Sequence, residues 1–145
     1  MSDPQSRISA LYDALASRIL VLDGAMGTEM QRCGLHAHDF GGPHLEGCNE
    51  NLVLTRPDVV LKVHRDYLLA GADVIETNTF GSMPVVLAEY GLQDKAYEIS
   101  RAAAVLARQA ADEFSTPAKP RFVAASIGPT TKMISLTGGI TFSEL

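Results

Sequence analysis

Asp23 is the first residue whose type and setting point to chemistry. It is followed by Gly24, Ala25, Met26 and Gly27. The four residues before it, Ile19-Leu20-Val21-Leu22, are all apolar and read as a strand buried on both faces of a parallel sheet. In parallel α/β proteins ligands meet the chain just past the carboxyl ends of strands. Asp23 takes that position, and Gly24 and Gly27 let backbone approach a ligand closely or adopt a positive φ. The competing reading is a tight turn with a solvated Asp.

Two further strand ends carry polar groups. One is Glu76 with Thr77-Asn78-Thr79, the other Ser126 with Thr130-Thr131. Convergence of all three ends would make a polar pocket floored by apolar side chains. Alternatively, Glu76 points into a helix layer, where it needs a partner. Other chemistries find no support. Gly24–Gly27 lacks the lysine of a phosphate loop, and GxGxxG is absent. Cys33 and Cys48 have neither CxxC spacing nor a histidine at ligand spacing, so no metal site is expected. His36, His38 and His44 read as solvated, and His64 as a partly buried structural histidine. No Ser/His/Asp order or nucleophile elbow is present.

The elements that must position these groups follow from pattern. Residues 4–16 carry Ile8, Leu11, Tyr12 and Leu15 at helical spacing and predict a leading helix within 1–17. Residues 29–54 hold five glycines or prolines and three histidines, and read as an irregular insertion after the first strand. Thr55-Arg56-Pro57-Asp58 predicts a helix start with Thr55 as N-cap, and Gly71 its end. Val59, Val60, Val63, Tyr67 and Ala70 form its apolar face. Residues 73–77 predict a second strand, Pro84 to Tyr90 a short helix stopped by Gly91, and Leu92 to Ala110 a long amphipathic helix. Residues 122–127 predict a third strand, followed by a loop with Gly138 and Gly139. Thr141-Phe142-Ser143-Glu144 has the form of a capping box, so a helix is expected to start there.

The alternation predicts an α/β fold of about three βα units. Both a doubly wound sheet and the N-terminal part of a (β/α)8 barrel fit, and a barrel needs about 250 residues. The chain has 145 residues, a formal net charge of −5 and 46% hydrophobic residues. It has no basic cluster for nucleic acid, no apolar run long enough for a bilayer and no signal-peptide pattern. A cytoplasmic protein is the expectation.

Four stretches carry a resemblance. Ile19–Thr28, Asn49-Glu50-Asn51-Leu52 with Arg56–Val60, Ala70–Phe80, and Ser126–Thr130 resemble, in order, the homocysteine-binding domain of cobalamin-dependent methionine synthases. That domain belongs to the homocysteine methyltransferase superfamily. The resemblance implies a (β/α)8 barrel that binds homocysteine on zinc for methyl transfer from methylcobalamin. It makes residues 1–145 the N-terminal portion of that domain, inactive alone. The family's three zinc-binding cysteines come from later strands, so the resemblance implies zinc and cobalamin as cofactors without zinc ligands here. Folate, cobalamin and reactivation modules are the implied partners. Asp23 would face the substrate ammonium, and the Gly24 and Ala25 N–H groups its carboxylate. Glu76, Asn78 and Thr79 are rim candidates. The competing functions are a homocysteine methyltransferase using betaine or S-methylmethionine, and a non-catalytic α/β binding module.

Overall fold

The computed structural model describes residues 3–132 and 139–142. The expected capping box at 141–144 and the glycine at 138 therefore lie partly or wholly outside the described residues. Helix α1 spans Pro4–Ser17. Helices α2 (Met26–Arg32), α3 (Ala37–Phe40) and α4 (Leu52–Thr55) follow, then α5 (Pro57–Ala70). Strand β1 is Val74–Glu76, α6 is Pro84–Leu87, α7 is Ala96–Phe114 and β2 is Phe122–Ala124.

The backbone of residues 21–23, β1 and β2 lie side by side in chain order. β1 pairs parallel with β2 in the register Val74↔Phe122, Ile75↔Val123, Glu76↔Ala124. The expected first strand is reduced to one parallel bridge, Leu22↔Val74. It is also not buried: Ile19 is 89% exposed, Val21 56% and Leu22 50%. The reason is that among the described residues β1 is its one strand neighbour and its outer edge is unpaired. The third strand likewise ends at Ala124 instead of Ile127, which is exposed.

Asp73 docks the leading segment onto β1. Both its carboxylate oxygens accept from the Arg18 guanidinium at 2.8 Å, and Oδ2 also accepts from the Val21 N–H at 3.0 Å. The Asp73 and Val74 N–H groups donate to the Val21 carbonyl, and the Asp23 N–H to that of Val74. The Arg18 hydrogen bonds hold the Asp73 carboxyl down at about 2.

Helices α5 and α7 pack on each other and on the strands. The spacing in α7 buries Ile99, Ala103 and Ala110, joined by Ala107 and Ala111, and this small-residue face admits close approach. The α7 helix starts at Ala96, four residues later than the periodicity of Leu92 implied, because Gln93–Lys95 form a 3-10 turn. Gly71 ends α5 at φ 114°, with its N–H bonded to Leu68 and the Ala72 N–H to Tyr67, a Schellman arrangement. Thr55 does not cap α5. It closes α4, its hydroxyl bonded to the Asn51 carbonyl, and Arg56 takes the cap position. In α5, Ala70 is exposed, while His64 and Leu68 join the buried face.

Residues 29–54 are not irregular. They form the end of α2, then α3, two 3-10 turns and α4. Met30, Phe40, Leu45, Cys48, Leu52 and Val53 from this stretch are buried in one core with α5, Leu87 and α7. A smaller core joins Leu68 and Ile75 to the alanines of α7.

The open edge carries an expectation. Strand groups left without a partner among the described residues, beside exposed Ile19, Val21 and Leu22, template pairing with another chain. The isolated chain is expected to self-associate in a concentration-dependent way, and Ile19→Lys to shift it toward monomer. Sedimentation velocity across a range of concentrations checks this; a monodisperse monomer throughout would contradict it.

Candidate functional site

Parallel, in-order pairing places Asp23, Glu76 and Ser126 at neighbouring carboxyl ends, and the side chains meet there. The Glu76 N–H donates to Asp23 Oδ1 at 3.0 Å. The Ser126 hydroxyl donates to Glu76 Oε2 at 3.1 Å. Glu76 therefore has its partner at the rim and does not need one in the helix layer. Asp23 is half-buried, and its carboxyl is pushed up to about 6. Burial is the main cause, opposed by the Glu76 N–H bond and aided by the nearby Glu76 charge.

The loop after Asp23 leads straight into α2. Ala25 is left-handed at φ 37° and ψ 42°, an uncommon conformation for a residue with a Cβ. No hydrogen bond among the described residues uses the N–H of Gly24 or Ala25. A Cβ built on Gly24 would meet nothing within 4 Å, so Gly24 lies beside open space.

Asn78 and Thr79 lie deeper than rim groups. Both are buried, and the Asn78 side-chain amide donates to the Asn49 carbonyl at 2.8 Å. Thr79 belongs to a closed ring of hydrogen bonds. The Ser126 N–H donates to Thr77 Oγ1 at 3.1 Å, the two threonine hydroxyls are 2.6 Å apart, and Thr79 Oγ1 donates to the Ser126 carbonyl at 2.7 Å. A hydroxyl has one proton. Thr79 spends its proton on Ser126, so Thr77 must be the donor between the two threonines. The ring staples the loop after β1 to the end of β2. Thr130 bonds to the Lys132 carbonyl and Thr131 is exposed; neither is joined to this ring by a hydrogen bond.

The expected non-ligand residues fall as follows. Cys48 is buried in the larger core and its thiol is pushed up by burial, whereas Cys33 is exposed and donates to the Glu29 carbonyl. They share no site, and no group of three or more His, Cys, Asp or Glu able to hold a metal occurs among the described residues. His36, His38 and His44 are exposed. His64 is fully rather than partly buried, neither ring nitrogen has a hydrogen-bond partner among the described residues, and burial pushes it down to about 4, so it is neutral at pH 7.

Two charged residues hold backbone in place although their sequence context gives no sign of it. Asp73 read only as the start of a strand. Glu50 belonged to a motif with no role attached, yet its carboxylate accepts from the Gly81 N–H at 2.8 Å. An acid beside buried backbone has no sequence signal, because its partner is an N–H that every residue but proline carries.

No helix among the described residues is long and apolar enough to cross a membrane. The sequence profile of the family described as homocysteine S-methyltransferase matches residues 20–145. The methionine synthase of Mycobacterium leprae is 49% identical over 126 residues, and that of Mycobacterium tuberculosis 47%. Each match covers 87% of this chain and 10% of the relative, so the chain spans about a tenth of their length. Two solved structures of the homocysteine methyltransferase MmuM from Escherichia coli are similar in fold. The metallated form gives a TM-score of 0.64 at 28% identity over 79% of this chain, and the oxidized form 0.68 at 29% over 82%. Each match covers 40% of the MmuM chain.

Proposed function

The chain belongs to the homocysteine S-methyltransferase family, and from that premise we propose that residues 1–145 form the N-terminal portion of a (β/α)8 barrel that binds homocysteine for methylation at sulfur. The observation that carries this reading is the junction of Asp23, Glu76 and Ser126 at neighbouring carboxyl ends, where barrel enzymes hold their substrates. Pairing in chain order fits a barrel and equally the first three strands of the doubly wound order 3-2-1-4-5-6, so membership of the family carries the choice of a barrel.

Asp23 is assigned to the substrate ammonium, and the N–H groups of Gly24 and Ala25 to its carboxylate. Glu76 contributes charge at the rim, and Asn78 and Thr79, buried below it, fix the loop. Higher identity to methionine synthases than to MmuM favours the cobalamin-dependent branch. Betaine or S-methylmethionine as donor is the second reading. Folate, cobalamin and reactivation modules are the partners that the first reading entails, and the cytoplasm its compartment. Zinc, which would lower the thiol pKa of homocysteine, does not fit the residues here: Cys33 and Cys48 are separated into surface and core. No step of the proposal passes through it.

The test uses this chain joined to the rest of the proposed barrel. Asp23→Asn keeps the shape and removes one charge. A charge-assisted hydrogen bond of about 1.5–3 kcal/mol corresponds to a loss of roughly one to two powers of ten in homocysteine affinity. Binding an ammonium needs the ionised carboxylate. Affinity is therefore expected to fall with pH through about 6 in the parent and to lose that step in Asp23→Asn. Calorimetric titration at several pH values decides; equal affinities at pH 7 would remove Asp23 from the site.

A further inference from the structure

The loop after β1 is held from a second side, by residues 49–51. The Asn49 carbonyl accepts from the Asn78 side chain, and the Glu50 carboxylate from the Gly81 N–H. This 3-10 turn is itself anchored. The Asn51 side chain is buried and donates to the Phe40 carbonyl at 2.7 Å, and the flanking Cys48 and Leu52 are fully buried. The hold on Gly81 depends on the absence of a side chain there. A Cβ on Gly81 would lie 2.9 Å from Glu50 Oε1, so the carboxylate occupies the space that any larger residue needs. One residue back, the Phe80 carbonyl accepts from the Gly128 N–H at 2.9 Å, which ties the same loop to the segment after β2.

We infer that Glu50 is a positioning residue for the substrate site: by gripping the Gly81 N–H from an anchored turn, it fixes the loop that carries Asn78 and Thr79 beside Glu76. Glu50 touches no reacting atom in this assignment. It acts through the loop, and the consequence for homocysteine rests on the function proposed above. The role needs an acceptor oxygen more than a charge. Glu50→Gln retains the acceptor and is expected to preserve the loop. Glu50→Ala removes it, and Gly81→Ala displaces it from the opposite side, since the crowded atom is the end of a flexible side chain.

Two measurements test this. Amide hydrogen exchange on the chain itself reads the grip. Glu50→Ala and Gly81→Ala should each speed exchange across 78–81 and at 128 by tenfold or more, while Glu50→Gln stays near the parent. The double variant should be no faster than the faster single one, because both remove one contact. Homocysteine titration in the completed barrel reads the consequence. Affinity should fall about tenfold in Glu50→Ala, be rescued in Glu50→Gln, and change without a matching loss of thermal stability. Unchanged exchange in Glu50→Ala overturns the grip. Faster exchange with unchanged affinity overturns the positioning role. A parent barrel that binds no homocysteine, with the exchange effects intact, overturns the functional reading and leaves the grip standing.

Discussion

Asp73→Ala is expected to lower the stability of the chain by about 3 kcal/mol at pH 7. Removing one partner of a buried ion pair typically costs about 3–5 kcal/mol, because the other charge is left without its counter-ion. Here the Asp73 side chain is 3% exposed but that of Arg18 is 38% exposed, so water reclaims part of the loss and the lower end applies. The Val21 N–H loses an acceptor as well. Asp73→Asn keeps one acceptor for Val21 and should cost less. The carboxyl sits at about 2, below its ordinary 3.8. A depressed acid contributes stability that is present above 3.8 and is lost as pH falls toward 2. Asp73→Ala should therefore flatten the acid limb of the stability profile between those values, besides lowering its plateau. Urea melts at pH 7 and at intervals down to pH 2 measure both. A midpoint unmoved at pH 7, with the acid limb unchanged, would show that the leading segment does not depend on this pair.

The same residue marks where sequence reading stops. Asp73 follows Ala72 and opens a strand, so its position is legible, but its partner is 55 residues away and nothing in the spacing names Arg18. The long helix α7 was legible because repeated turns share one periodicity. The meeting of the three carboxyl ends was legible for a related reason: in-order parallel strands put their ends together, whatever the loops do. Depth within a loop was not. Asn78 and Thr79 are polar and follow a strand, which suggests a rim, yet hydrogen bonds to Asn49 and Ser126 draw both inward. The leading strand failed for another reason. Its apolar run is real, but burial needs neighbours on both sides, and among the described residues β1 supplies one side only. Residues 29–54 failed because α3 and α4 have four residues each, too few to show a helical period. Glycines with positive φ at 34, 41, 42 and 47 then look like loop composition, while they turn the chain between short helices.

Leu52→Ala decides whether that stretch is packed core or solvated insertion, and the expected cost is about 2.7–5 kcal/mol. Leu52 is fully buried at the start of α4, in the core that joins Met30, Phe40 and Cys48 to α5 and α7. Truncation removes transfer energy and leaves a cavity that the surrounding helices can only partly close. A residue in a solvated, irregular loop would lose less than about 0.5 kcal/mol on the same change. Leu52→Met, which nearly conserves volume, should cost less than about 1.5 kcal/mol and separates cavity from chemistry. The effect should also reach the candidate site. Leu52 directly follows the turn that holds Asn49 and Glu50, and those two residues hold the loop at 78–81. Hydrogen exchange in that loop should therefore rise in Leu52→Ala. Ile75→Ala, in the smaller core under β1, is the control: it should lower stability while leaving the grip of Glu50 on Gly81 in place. Urea midpoints of the three variants, with m-values equal to the parent, give the energies. A shift below 0.5 kcal/mol for Leu52→Ala would return residues 29–54 to the status of an insertion and detach the substrate loop from its platform.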